Sequence, residues 1–109
     1  MFILNADGSG LRRLTKRCGS DYSPTWSPNG TKIAFVCYRK SETVFTVRVD
    51  GSGLRQVTSR RARYPSWSPD GEWIAHLRDG VWVMRADGTS PRRVATNTFD
   101  SQPTWDPRS

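Results

Sequence analysis

Short apolar runs, each closed off by proline, glycine, asparagine or aspartate, set the rhythm of this chain. The clearest are Lys32-Ile33-Ala34-Phe35-Val36-Cys37, Val44-Phe45-Thr46-Val47-Arg48-Val49, Trp73-Ile74-Ala75-His76-Leu77 and Val81-Trp82-Val83-Met84-Arg85. Val, Ile, Phe, Trp and Thr recur in them, side chains that suit a pleated surface. No window sustains a helical period of 3.6 residues. The pattern predicts an all-β protein of short strands with essentially no helix.

The runs belong to a repeat. Pro24-Thr25-Trp26-Ser27-Pro28-Asn29-Gly30 returns as Pro65-Ser66-Trp67-Ser68-Pro69-Asp70-Gly71 and, shortened, as Pro103-Thr104-Trp105-Asp106-Pro107. Trp26, Trp67 and Trp105 are spaced 41 and then 38 residues apart, a period typical of solenoids, propellers and tandem arrays. Asp7-Gly8, Asp50-Gly51 and Asp87-Gly88 recur as well, each leading into a basic and then a short apolar stretch. Pro28 and Pro69 pre-set the first half of a type I turn, and Gly30 and Gly71 supply the positive φ that follows it in a bulged hairpin. Each full repeat therefore holds four short antiparallel strands, here lettered A (around the Trp) to D. Such a sheet, apolar on both faces, has to be stacked on others like it, and radial stacking is the propeller solution.

This gives an expected architecture: a partial β-propeller with two complete four-stranded antiparallel blades plus flanking half-blade strands. Residues 1–109 form a single segment. Strands C and D of a partial blade fall in 1–15, full blades in 22–58 and 63–95, and the start of a further blade in 103–109.

The repeat resembles that of the TolB propeller family, also described as WD40-like. The first copy carries the resemblance on Asp21, Pro24, Trp26 to Gly30, Ile33-Ala34-Phe35, Asp50-Gly51 and Val57-Thr58. The second carries it on Pro65, Trp67 to Gly71, Ile74-Ala75, Asp87-Gly88 and Val94. Three positions depart from it: His76 stands for Phe35, Ala62 for Asp21 and Asp100, and Ala95 for the threonine of strand D. The resemblance implies a non-enzymatic, protein-binding scaffold of periplasmic or extracytoplasmic location, although this chain shows no signal peptide. It also leaves open a propeller fragment of a larger serine peptidase of the prolyl-oligopeptidase type.

Composition adds a charge. Seventeen basic residues against ten acidic give +7, a balance that invites an acidic protein, an anionic surface or nucleic acid. The basic residues are dispersed, however, and no aromatic-interleaved nucleic-acid motif accompanies them, so nucleic acid is disfavoured. Their densest run, Arg60-Arg61-Ala62-Arg63, lies in the D-to-A loop, which makes Arg60, Arg61 and Arg63 the candidate partner-binding loop. No apolar run is long enough to span a membrane.

Catalytic, cofactor and metal chemistry all lack a basis in the sequence. Ser9 and Ser52 lie in Gly-Ser-Gly, which is not a nucleophile elbow, and His76 is the one histidine. Cys18, Cys37 and His76 have no zinc spacing; the two cysteines, at non-equivalent places in the repeat, allow a disulfide in an oxidising compartment, with two free thiols the preferred reading. Asp21 and Asp100, at the entrance to strand A, are candidates to face a central channel or to tie the loop end by an Asx bond. Trp26, Pro28, Gly30, Trp67, Pro69, Gly71 and Trp105 are expected to be structural, with the tryptophans packed between blades. A lone arc of blades exposes sheet faces and edges, so self-association that completes a propeller is expected too.

Overall fold

The computed structural model describes residues 2–3, 12–13, 18, 20–38, 40–96 and 105–106. Within them lie ten strands and no helix: β1 (Phe2–Ile3), β2 (Arg12–Arg13), β3 (Ser20–Trp26), β4 (Lys32–Tyr38), β5 (Glu42–Arg48), β6 (Arg55–Gln56), β7 (Arg63–Trp67), β8 (Trp73–Leu77), β9 (Val81–Arg85) and β10 (Arg92–Ala95). They form two antiparallel four-stranded meanders, β3-β4-β5-β6 and β7-β8-β9-β10, and a two-stranded pair, β1-β2. Asp100 lies outside the described residues, as do Pro103 and Thr104 of the third motif copy.

The turns take the shape that their residues dictate. The Gly30 N–H donates to the Ser27 carbonyl at 2.9 Å, and Gly71 does the same to Ser68 at 2.8 Å. The glycines sit at φ +72° and +74°, a conformation that a side chain would strain. Asn29 and Asp70 act as side-chain staples. Asn29 Oδ1 accepts from the Ser27 hydroxyl and the Thr31 N–H, at 2.8 and 3.1 Å. Asp70 Oδ1 accepts from the Ser68 hydroxyl and the Glu72 N–H, at 2.6 and 2.9 Å. These donors hold the Asp70 carboxyl below its usual range.

Strand A of each blade is bulged at the same place. The register slips between Tyr22 and Thr25 in β3 and between Arg63 and Ser66 in β7, with Ser23 and Tyr64 at φ +54° and +55°. Both precede a proline, whose ring disfavours the right-handed helical region for its predecessor.

The cores explain why β4 reads as an unbroken apolar run: it is buried on both faces. Ala34, Val36 and Val44 on one face join Trp67, Ile74 and Met84 of the second sheet. Ile33, Phe35, Cys37 and Val47 on the other face pack with Ile3, Cys18 and Phe45. Phe35 and Phe45 stack at 6.0 Å between ring centroids. The expectation of two free thiols is corrected here. Cys18 and Cys37 are joined in a disulfide, their Cα atoms 5.7 Å apart. Non-equivalent repeat positions misled: Cys37 pairs with Asp21 across β3 and β4, and Cys18 lies just upstream of that partner.

Candidate functional site

Antiparallel order sends the β6-to-β7 loop and the β8-to-β9 hairpin to the same end of the stacked sheets. Arg60, Arg61, Arg63, Leu77, Arg78 and Asp79 there line a cleft of about 400 Å³. The loop is tied down between its arginines. Ala62 is fully buried in the inter-sheet core, and its N–H donates to the Glu42 carbonyl at 2.9 Å. Arg60, Arg61 and Arg63 are exposed around that anchor.

Glu42 organises them. Its carboxylate accepts from Arg61 Nη2 at 3.2 Å, lies 3.9 Å from Arg63 Nε, and accepts from the Tyr22 hydroxyl. Burial, then the hydrogen bond to Glu42, push the Tyr22 hydroxyl up to about 12, so it stays a donor throughout the physiological range. Arg78 leans on Trp82, its guanidinium carbon 4.4 Å from the ring centroid, a cation–π contact that holds the side chain at the rim of the cleft. Four arginines thus border the cleft, with Asp79 in its lining and Glu42 engaged beneath. Such a surface can take carboxylates through planar, two-pronged hydrogen bonds.

Sequence reasoning pointed to Arg60, Arg61 and Arg63 and missed Glu42, Tyr22 and Arg78. The signal for Arg78 was available: the tight Asp79-Gly80 hairpin must open at the same end as the D-to-A loop. Asp21 is half-buried on β3, opposite Cys37. His76 is buried, and among the described residues its Nδ1 has no hydrogen-bond partner. Among the described residues no three of His, Cys, Asp and Glu gather as a metal-holding group, and no helix is long and apolar enough to cross a membrane.

The tryptophans of the repeat do different work from one another. Trp67 is 8% exposed, and its Nε1 donates to the Thr25 carbonyl of β3 at 3.0 Å. Trp105 Nε1 donates to the Ser66 carbonyl of β7 at 2.8 Å. Each therefore grips the residue just before the tryptophan of the preceding repeat. Trp26, by contrast, is 52% exposed. Its exposure departs from the inter-blade packing expected of the repeat tryptophans.

Consecutive four-stranded sheets, packed face to face and linked in this way, are blades of a β-propeller. The chain belongs to the TolB beta propeller domain family, whose match runs over residues 1–109. It is 31% identical over 110 residues to the TolB homolog of Chlorobium luteolum, covering 93% of this chain and 25% of that protein. The fold is similar to that of TolB from Acinetobacter baumannii, with a TM-score of 0.83 and 21% identity over 98% of this chain and 29% of the other. It is also similar to part of the tricorn protease, with a TM-score of 0.68 and 18% identity over 92% of this chain and 10% of the other. The chain thus spans about a quarter of the length of its Chlorobium relative.

Proposed function

We propose that residues 1–109 act as one non-enzymatic interaction segment of a TolB-type propeller, binding an acidic segment of a partner protein at the arginine-bordered end of its blades. The observation that carries this reading is the cleft between the β6-to-β7 loop and the β8-to-β9 hairpin, with Arg60, Arg61, Arg63 and Arg78 around it. Glu42 and buried Ala62 fix the loop in advance, which lowers the ordering cost of binding. The overall charge of +7 would speed encounter with an acidic partner. The Cys18–Cys37 disulfide suits an extracytoplasmic, oxidising compartment. A second element of the proposal is self-association of arcs toward a closed ring, for which the exposed indole of Trp26 is the candidate contact.

Fluorescence anisotropy with a labelled Glu-rich peptide tests the main reading. Binding is expected to weaken steeply with salt and to fall at least about tenfold in the double variant Arg60→Glu, Arg78→Glu, which spares the Glu42 pairs. Equal affinity for an uncharged peptide of the same length would overturn it. So would a clear preference for single-stranded DNA over the peptide, which would favour a general anion-binding module.

A further inference from the structure

The two blades differ at one register position in a way that exposes a second site, at the opposite end of the sheets from the arginine cleft. In the second blade Trp73 pairs with Arg85 across β8 and β9. The Arg85 guanidinium carbon sits 4.7 Å from the Trp73 ring centroid, so its charge is met by an aromatic face. In the first blade the same register pairs Lys32 with Arg48. Two cations placed directly opposite one another in a sheet repel. A third, Arg55, pairs with Thr46, and alternation along β5 puts it on the same face as Arg48.

The juxtaposition is built into the fold. The Arg48 guanidinium lies over the β5-to-β6 turn, where a Cβ on Gly53, at φ +67°, would come within 2.7 Å of Nη1. Glycine at 53 thus makes room for the side chain. Arg48 also anchors that turn through its own backbone, its N–H donating to Ser52 O at 2.9 Å. Lys32, Thr46, Arg48, Gly53, Leu54 and Arg55 line a cleft of about 260 Å³. No lining side chain is acidic, and among the described residues none of the three cations forms an ion pair. Asp87 feels Arg55 at Coulombic range, one of the causes that lower its carboxyl. Asp87 is itself held by the Thr89 hydroxyl and N–H at 2.6 and 2.9 Å.

We propose that this cleft is a phosphate site, taking inorganic phosphate or the terminal group of a small phosphomonoester between Lys32, Arg48 and Arg55. Three cations lining one cleft match a tetrahedral dianion better than a single carboxylate, which offers two oxygens and one charge. The bound anion would replace the repulsion between Lys32 and Arg48 with attraction, as Trp73 does for Arg85 one blade on. The site is independent of the acidic-peptide reading, since it shares no residue with the other cleft.

Isothermal titration of the chain with inorganic phosphate, and separately with glucose 6-phosphate, tests it, with ionic strength held constant by chloride. Saturable binding is expected, weakened at least about tenfold by Arg48→Gln or by Lys32→Trp. Lys32→Trp installs the residue that the second blade already carries at this register, so it preserves the fold, as circular dichroism would verify. Arg85→Gln should leave the affinity unchanged. Binding of both ligands marks a site for the phosphate group, and binding of inorganic phosphate alone marks one closed to esters; either supports the proposal. Absence of saturable binding, or an equal loss in Arg85→Gln, overturns it.

Discussion

His76 stands where the first blade has Phe35, and the exchange puts an imidazole into an apolar interface. It is 2% exposed, and among the described residues neither Nδ1 nor the indole N–H of Trp82, its cross-strand neighbour, has a hydrogen-bond partner. Burial, reinforced by the Arg78 charge, lowers the imidazole to about 4 from its ordinary 6.5. Between those values the unfolded chain binds more protons than the folded one, so stability falls as pH falls. The neutral ring's contribution is whole above about pH 6.5, declines below it and is gone once pH passes about 4. Urea unfolding should therefore show a loss of about 2 kcal/mol between pH 7.5 and pH 5. His76→Phe should flatten that dependence, and an unchanged pH slope in the variant would refute the assignment. Sequence comparison of the blades marked His76 as a departure. The missing partners follow only from seeing Trp82 opposite it.

At the scale of elements, the punctuation was the most legible feature. Ser-Pro-Asn-Gly and Ser-Pro-Asp-Gly specify their turns by local chemistry alone, and the structure forms them with the expected carbonyl-to-amide closure. The bulge in strand A was not legible, because a following proline disfavours the right-handed helical region without by itself selecting the positive φ that Ser23 and Tyr64 adopt. The disulfide escaped for a related reason: it joins neighbouring strands across a sequence separation of 19, and only the register reveals the proximity. Closing a loop of that size restricts the unfolded chain, and reduction should cost about 3 kcal/mol. Guanidinium unfolding with and without a phosphine reductant measures it. A midpoint unmoved by the reductant would show that the bridge contributes nothing.

At the scale of the whole molecule, the all-β, bladed architecture could be read from the spacing of Trp26, Trp67 and Trp105, whereas the hydrogen bonds that unite the blades could not. Those bonds predict how the exposed Trp26 indole behaves. Sedimentation velocity from about 1 to 100 μM should show mass rising with concentration, as linked association requires, and Trp26→Ala should suppress the rise. A monomer at every concentration would end the self-association proposal. The same bonds give the arc a direction. Trp67 reaches back to Thr25 and Trp105 reaches back to Ser66, so the second blade offers a carbonyl forward and a donor backward. A nascent chain meets these partners in the right order, because each tryptophan leaves the ribosome after its acceptor has been made. Whole repeats can then be gained or lost at the C-terminal side without orphaning an indole, whereas loss from the N-terminal side strands one.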